Sequence, residues 1–220
     1  MLRANMKIRL GLLQLGERST QFYQELIDKQ EQLADLQVVA TDFPAMNTHL
    51  PNQFEYLETL LISYLDLFES VDKILIPNIT LHETLDRVLT KINFHKAMVA
   101  HPLNSMAIRL KEDGCKKICL VASLYSMNSN YLHDYFKQHD IDVVLPNSKV
   151  QTDFDELRKK FYLRAETTKD IKFYHEMLHT CHLQAPVVSA CTELSLMLPD
   201  DHQYYDMSLE QVRNAFTINN

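Results

Sequence analysis

The feature that most constrains this chain is a repeated passage from a short aliphatic run into a helical pattern, sharpest at two places. Lys73 to Glu83 reads KILIPNITLHE, and Pro186 to Leu196 reads PVVSACTELSL. In each, β-branched or aliphatic residues stop at small or polar ones, and a helical pattern follows. Asn78 and Cys191 are 191 − 78 = 113 positions apart, about half of the 220 residues. Two such turns at that separation predict two similar lobes facing each other across one cleft. Strands alternating with helices predict parallel sheets with right-handed crossovers, an α/β fold. Ligands of such sheets sit beyond the carboxyl ends of the strands, and both stretches end there.

Composition narrows the function classes. A net charge of −7 argues against a nucleic-acid partner, which needs a basic face. No apolar run approaches the roughly 20 residues of a membrane span. The opening MLRANMKIRLGLL has too short an apolar core for an export signal, so a cytoplasmic location is expected. Cys115, Cys119, Cys181 and Cys191 fit no zinc spacing, and the ten histidines form no HxH or HExxH pattern. The expectation is therefore free thiols and no metal site.

In chain order, Lys7 to Leu13 reads as a first strand. The helix after it is expected to be capped by Ser19 or Thr20 and to turn Phe22, Leu26 and Leu33 inward. Gln37 to Ala40 is a second strand, followed by a loop at Thr41 to Pro44. Phe54, Leu57, Leu61, Tyr64, Leu65 and Phe68 form one helical stripe. Lys73 to Ile76 is a third strand; Leu81, Leu85, Val88, Leu89 and Ile92 make its helix amphipathic, and Lys96 to His101 reads as a fourth strand. The second half repeats the rhythm, with strands at Lys117 to Ala122, Ile141 to Pro146 and Pro186 to Ala190. Its helices are expected over Tyr131 to Gln138, Asp153 to Tyr162, Asp170 to His179, and Ser208 to Ala215 with Ser208 as cap.

Cys191 follows a strand and precedes a helix beginning Thr192-Glu193-Leu194. A thiol at a helix N-terminus meets the positive end of the dipole, which favours the thiolate. Asn78, Thr80 and His82 stand at the equivalent turn of the first half, where side-chain and helix amides could hold a carboxylate. Capping by Thr80 alone is the plainer account of that turn. Ser19, Thr20, Ser123 and Ser126 place hydroxyls at two further strand ends, and together the four ends suggest an anion site.

On these residues the chain resembles the cofactor-independent aspartate/glutamate racemase superfamily along nearly its full length. Ala190-Cys191-Thr192-Glu193-Leu194 is similar to the signature Gly-Cys-Thr-Glu-Leu. Pro77-Asn78-Ile79-Thr80-Leu81-His82 resembles Cys-Asn-Thr-Ala-His, in register at Thr80 and His82. GLLQLGERSTQFY is similar to the family's Gly-rich opening turn, SLYSM to the TxxTM segment of the aspartate racemase branch, and VATDFPAM to its loop after the second strand. Asp206 sits where the family returns to its first lobe.

The resemblance implies two α/β lobes related by a pseudo-twofold axis, residues 1–101 plus 207–220 and residues 102–206, with the active site in the cleft. It implies no pyridoxal phosphate, no other cofactor and no metal, and a homodimer. One acid/base on each face of a bound amino acid removes or returns the α-proton, and donors to the α-carboxylate stabilise the developing charge. Cys191 and Asn78 take the catalytic positions, with Ser19, Thr20, Thr80, His82, Ser126, Thr192 and Glu193 binding substrate. The sequence departs from the family at three points. Asn78 stands in the first cysteine position, and a neutral amide cannot act as a base. Gln14-Leu15 replaces two glycines, and Tyr125 adds bulk. For a side-chain carboxylate the candidate partners are Arg164 and His49. The expected function is racemase-like isomerisation of aspartate, glutamate or a related amino acid or dicarboxylate, with Cys191 as one acid/base. The alternatives are a carboxylate-binding homologue without turnover and a single-cysteine decarboxylase.

Overall fold

Strand β1 (Ile8–Gln14) lies at the centre of a three-stranded parallel sheet in the order β2-β1-β3, with β2 at Ala34–Ala40 and β3 at Lys73–Leu75. The computed structural model describes residues 7–91, 98–199 and 203–217. A second parallel sheet has the order β5-β4-β6-β7, formed by β4 (Lys117–Val121), β5 (Asp142–Val144), β6 (Val187–Ser189) and β7 (Tyr204–Asp206). The fold is thus α/β, with two parallel sheets flanked by helices. The sheets belong to two units, the first drawn from Met1–His101 and Gln211–Asn220 and the second from Pro102–Glu210.

Both sheets run from a central strand to a neighbour on one side and then to one on the other. That reversal opens a crevice at the carboxyl ends of the two strands flanking it. In the first unit these are β1 and β3; in the second they are β4 and β6. The turns leaving these four strands carry Gly16 to Thr20, Asn78 to His82, Ser123 to Ser126 and Cys191 to Glu193.

In the first unit α1 (Glu17–Asp28), α2 (Phe43–Asn47), α3 (Phe54–Leu65) and α4 (Leu81–Lys91) connect or cover the strands. The i, i+4 spacing of Leu57, Leu61 and Leu65 buries one stripe of α3, and Leu81, Leu85 and Val88 do the same for α4. Buried Glu58 of α3 pairs with Lys91 and with Arg87 Nε at 2.6 Å, tying the two helices together. In the second unit α5 (Pro102–Glu112), α6 (Leu124–Asn128), α7 (Asn130–Gln138), α8 (Ser148–Leu163), α9 (Thr168–His182) and α10 (Thr192–Ser195) play the same part. Its core centres on Tyr174, packed edge-on by Phe154 and Phe161 at 5.9 and 5.4 Å, with its hydroxyl donating to Leu194 O at 2.9 Å. The bond satisfies a polar tip inside the apolar cluster. The boundary between the units falls within α11 (Met207–Phe216).

Several local expectations change. Helix α1 begins at Glu17 on an N-cap glycine, so Ser19 and Thr20 lie inside its first turn and cap nothing. Its buried residues include Tyr23, Leu26 and Ile27, whereas Leu33 lies beyond it and is 70% exposed. The Thr41–Pro44 loop contains the start of α2, because Asp42 accepts from Ala45 N at 3.1 Å and Pro44 fits a first helical turn. Strand β2 starts three residues earlier than expected, and α8 and α9 are longer at both ends. The α9 start is fixed by a capping box of Thr167 and Asp170. Of the expected strand from Lys96, residues 96 and 97 lie outside the described residues, as does Ile92; Val99 makes one parallel bridge to Ile74. Helix α11 is capped by Asp206 rather than Ser208: Asp206 Oδ1 accepts from Ser208 N at 2.8 Å.

Candidate active site

The β6 turn puts Cys191, 6% exposed as a residue, at the N-cap of α10, with its thiol donating to Glu193 Oε2 at 3.1 Å. Burial raises its pKa well above that of an ordinary thiol, and the charge of Glu193 adds to this; Arg158 and the Leu194 amide act in the opposite sense. The thiolate expected from the helix N-terminus is therefore not the resting form. A one-turn helix carries little dipole, and desolvation beside a carboxylate outweighs it. The resting group is a thiol with an acceptor already in place.

Arg158 was not among the sequence candidates. It projects from α8, which packs on α10, and its Nε donates to Asp155 Oδ1 at 3.0 Å. Burial opposes its charge, but Cys191, Asp155 and Glu193 outweigh burial and raise its pKa. Asp155 is itself anchored by Leu124 N at 3.1 Å from the β4 turn, and by Lys159 Nζ at 3.1 Å. Burial works against that carboxylate too, yet these donors hold it below the ordinary range. The signal available in sequence was the Asp155–Arg158 pair at i, i+3 on a helix. Arg164, by contrast, is the exposed left-handed C-cap of α8 (φ 55°). His49 bonds Gln53 Oε1 through Nδ1 at 2.6 Å and stacks on Tyr56 at 3.8 Å.

Around this group the second unit gathers further hydroxyls. Ser123 caps α6 by accepting from Ser126 N at 3.2 Å, and its Oγ donates to Ser126 Oγ at 2.9 Å. Thr192 and Ser126 are buried. Ser195 Oγ donates to Asp206 Oδ1 at 2.6 Å, and burial still raises the Asp206 pKa. A surface groove of about 260 Å³ bordered by Asn147, Val150, Met177 and Cys181 includes neither Cys191, Glu193 nor Arg158 in its lining.

In the first unit Asn78 caps α4: its Oδ1 accepts from Leu81 N at 3.0 Å. The side-chain oxygen is thereby used, and the Nδ2 group is the part of the amide suited to meet an anion. Thr80 is half-buried beside it. His82 is wholly buried; Nδ1 meets Asn78 O at 2.9 Å and Nε2 meets Gln211 Nε2 at 3.1 Å. Burial, then the neighbouring His101, pushes its pKa down to about 3, so it is neutral and braces the turn from behind. At the β1 turn Gly16 takes φ 84°, ψ 147°, and Thr20 Oγ1 donates to Gly16 O at 2.7 Å. That backbone region is accessible almost only to glycine. The one glycine kept in the opening turn stands where its geometry is required, and Gln14 and Leu15 stand where a side chain is allowed.

Among the described residues no three His, Cys, Asp or Glu side chains gather as metal ligands, and no helix is long and apolar enough to cross a membrane. The fold is shared with several solved structures. An aspartate racemase homologue from Pyrococcus horikoshii OT3 matches with a TM-score of 0.75 at 16% identity, over 96% of this chain and 97% of that one. The Picrophilus torridus aspartate racemase matches at 0.66 and 14%, over 96% and 94%. A glutamate racemase isoform from Bacillus anthracis matches at 0.56 and 13%, over 94% and 79%. The chain has their fold. No protein-family model and no curated protein matches it.

Proposed function

We propose that this protein is a cofactor-independent isomerase of the aspartate/glutamate racemase type, acting at the α-carbon of an acidic amino acid or a related dicarboxylate. The observation that carries the reading is the Cys191–Glu193 contact of 3.1 Å beside Arg158 at the carboxyl end of β6. The resemblance in the signature sequences and the fold of the racemase structures support it.

In the forward direction Glu193 takes the thiol proton, leaving a thiolate that faces the Arg158 guanidinium. The thiolate removes the α-proton, and the electron pair left on carbon delocalises into the α-carboxylate. Return of the proton from sulfur to the same face regenerates substrate. The hydroxyls of Ser126 and Thr192 and the guanidinium of Arg158 provide donors for substrate carboxylates. Ser19, Thr20 and Thr80 belong to the binding set by the resemblance. Asn78, on the same ground, serves the opposite face by donating from Nδ2, and it has no proton to exchange near neutral pH. This favours one-sided chemistry: exchange at one enantiomer, or protonation of an enediolate after decarboxylation. A carboxylate-binding protein without turnover is the second reading, favoured by the cap role of Asn78. The protein acts without cofactor, in the cytoplasm and as a homodimer, on this proposal.

Chiral chromatography after incubation with L- and D-aspartate and L- and D-glutamate tests the substrate class. Loss or inversion of any of the four, or uptake of α-deuterium when the incubation is run in deuterated water and read by mass, supports an enzyme. A thermal shift with these ligands and no chemical change selects the binding protein.

A further inference from the structure

In the buried network behind Asn78 the donor and acceptor roles of Gln211 and His82 follow from their partners. Ala100 O can only accept, so the Gln211 group 2.9 Å from it is the Nε2 amide, and Gln211 Oε1 accordingly faces the Tyr23 hydroxyl at 2.6 Å. The same Nε2 lies 3.1 Å from His82 Nε2. An amide NH₂ can only donate, so His82 Nε2 must be the bare nitrogen and Nδ1 must carry the proton. Nδ1–H then donates to Asn78 O at 2.9 Å, on the residue whose side chain caps α4. Tyr23, His82 and Gln211 lie on three different helices, α1, α4 and α11, and all three residues are fully buried.

We infer that Gln211 is a positioning residue: it selects the Nδ1–H tautomer of His82 and so fixes the Asn78 turn. Its catalytic consequence rests on the function proposed above, but the tautomer and the turn do not. Gln211→Glu, nearly the same shape, replaces the NH₂ that faces His82 Nε2 with an acceptor. Nε2 of His82 must then be protonated, and in the neutral ring a bare Nδ1 would face a carbonyl oxygen. Gln211→Met removes both donor and acceptor at similar length, leaving the tautomer unselected.

The experiment is ¹⁵N NMR of the full chain, wild type and both variants, reading the His82 ring nitrogens and the protection of the Leu81 amide that donates to Asn78 Oδ1. The wild type shows protonated Nδ1 and bare Nε2. Gln211→Glu moves the proton to Nε2 or protonates both nitrogens. Both variants lose Leu81 protection, by about tenfold for the loss of one buried hydrogen bond. Should Gln211→Glu fail to fold, Gln211→Met carries the test. A wild-type Nε2–H tautomer, or variants with unaltered His82 and Leu81 signals, overturns the inference. In an active enzyme the same variants lower kcat/KM for α-proton exchange about tenfold. Absence of wild-type activity with the predicted ring signals would count against the proposed function and leave the positioning role standing.

Discussion

The Cys191 thiol, at the N-cap of α10, donates across 3.1 Å to Glu193 Oε2, two residues on in the single turn of that helix. A thiol held protonated by burial and by an adjacent carboxylate is a poor nucleophile and a weak acid at rest. It becomes a base only by handing its proton to that carboxylate. The consequences are measurable.

Removing the Glu193 charge should lower the Cys191 pKa, since that charge is the second contribution to its rise after burial. In Glu193→Gln the pH profile of iodoacetamide labelling at Cys191, read by mass spectrometry, moves to lower pH. Exchange activity falls by about 10²–10⁴, the usual worth of a positioned proton acceptor. Labelling that keeps its wild-type pH profile would mean the pair is not coupled.

Arg158→Ala should weaken binding of a dicarboxylate and leave Asp155 without its guanidinium partner. A charge-assisted hydrogen bond is worth about 1.5–3 kcal/mol, or roughly 10–100-fold in kcat/KM. Arg158→Lys retains part of this, and Arg164→Ala, at the exposed end of α8, retains nearly all. Steady-state kinetics on the three variants separate these outcomes.

His82 makes stability depend on pH in a defined direction. Its folded pKa is about 3 against an ordinary 6.5, so the unfolded chain binds the proton first. The stabilisation is present above pH 6.5 and is lost as pH falls from there toward 3, at up to about 1.4 kcal/mol per unit. Between pH 6.5 and 4.5 the histidines dominate the slope, and the difference between wild type and a His82 variant in urea unfolding over that window isolates His82. His82→Asn should flatten the slope there; an unchanged slope would assign it elsewhere.

Gly16→Ala should destabilise the fold by about 1–3 kcal/mol, because φ 84° with ψ 147° admits almost no side chain. Chemical denaturation checks this. A neutral effect would mean the opening turn adapts.

Asn78→Cys places a thiol on the face that lacks a base in the proposed scheme. It gives up the α4 cap, at about 1 kcal/mol. It should convert one-sided exchange into inversion, seen as appearance of the other enantiomer. A folded variant that exchanges but never inverts would contradict the role given to Asn78.

Much of this was legible in the chain. The two opening stretches end in the turns that carry Asn78 and Cys191, since short aliphatic strands followed by amphipathic helices leave little choice of architecture. What escaped depended on tertiary context. Strand β7 is three residues long and gains its identity by pairing with β6. The protonation of Cys191 is set by burial, which a helix-terminus argument does not contain. Gln211 has no sequence mark at all, being one polar residue on a helix whose partners lie 111 to 188 positions away. Arg158 was within reach through its spacing from Asp155, whereas Arg164, six residues on, is turned outward by the left-handed helix end.

The most direct test is solvent deuterium incorporation at the α-carbon, followed by proton NMR, for L- and D-aspartate and L- and D-glutamate with wild type and Cys191→Ala. The account predicts incorporation by the wild type into at least one of the four and its loss, by about 10²–10⁴, in Cys191→Ala. Equal incorporation by both proteins, or none by a correctly folded wild type, would contradict it.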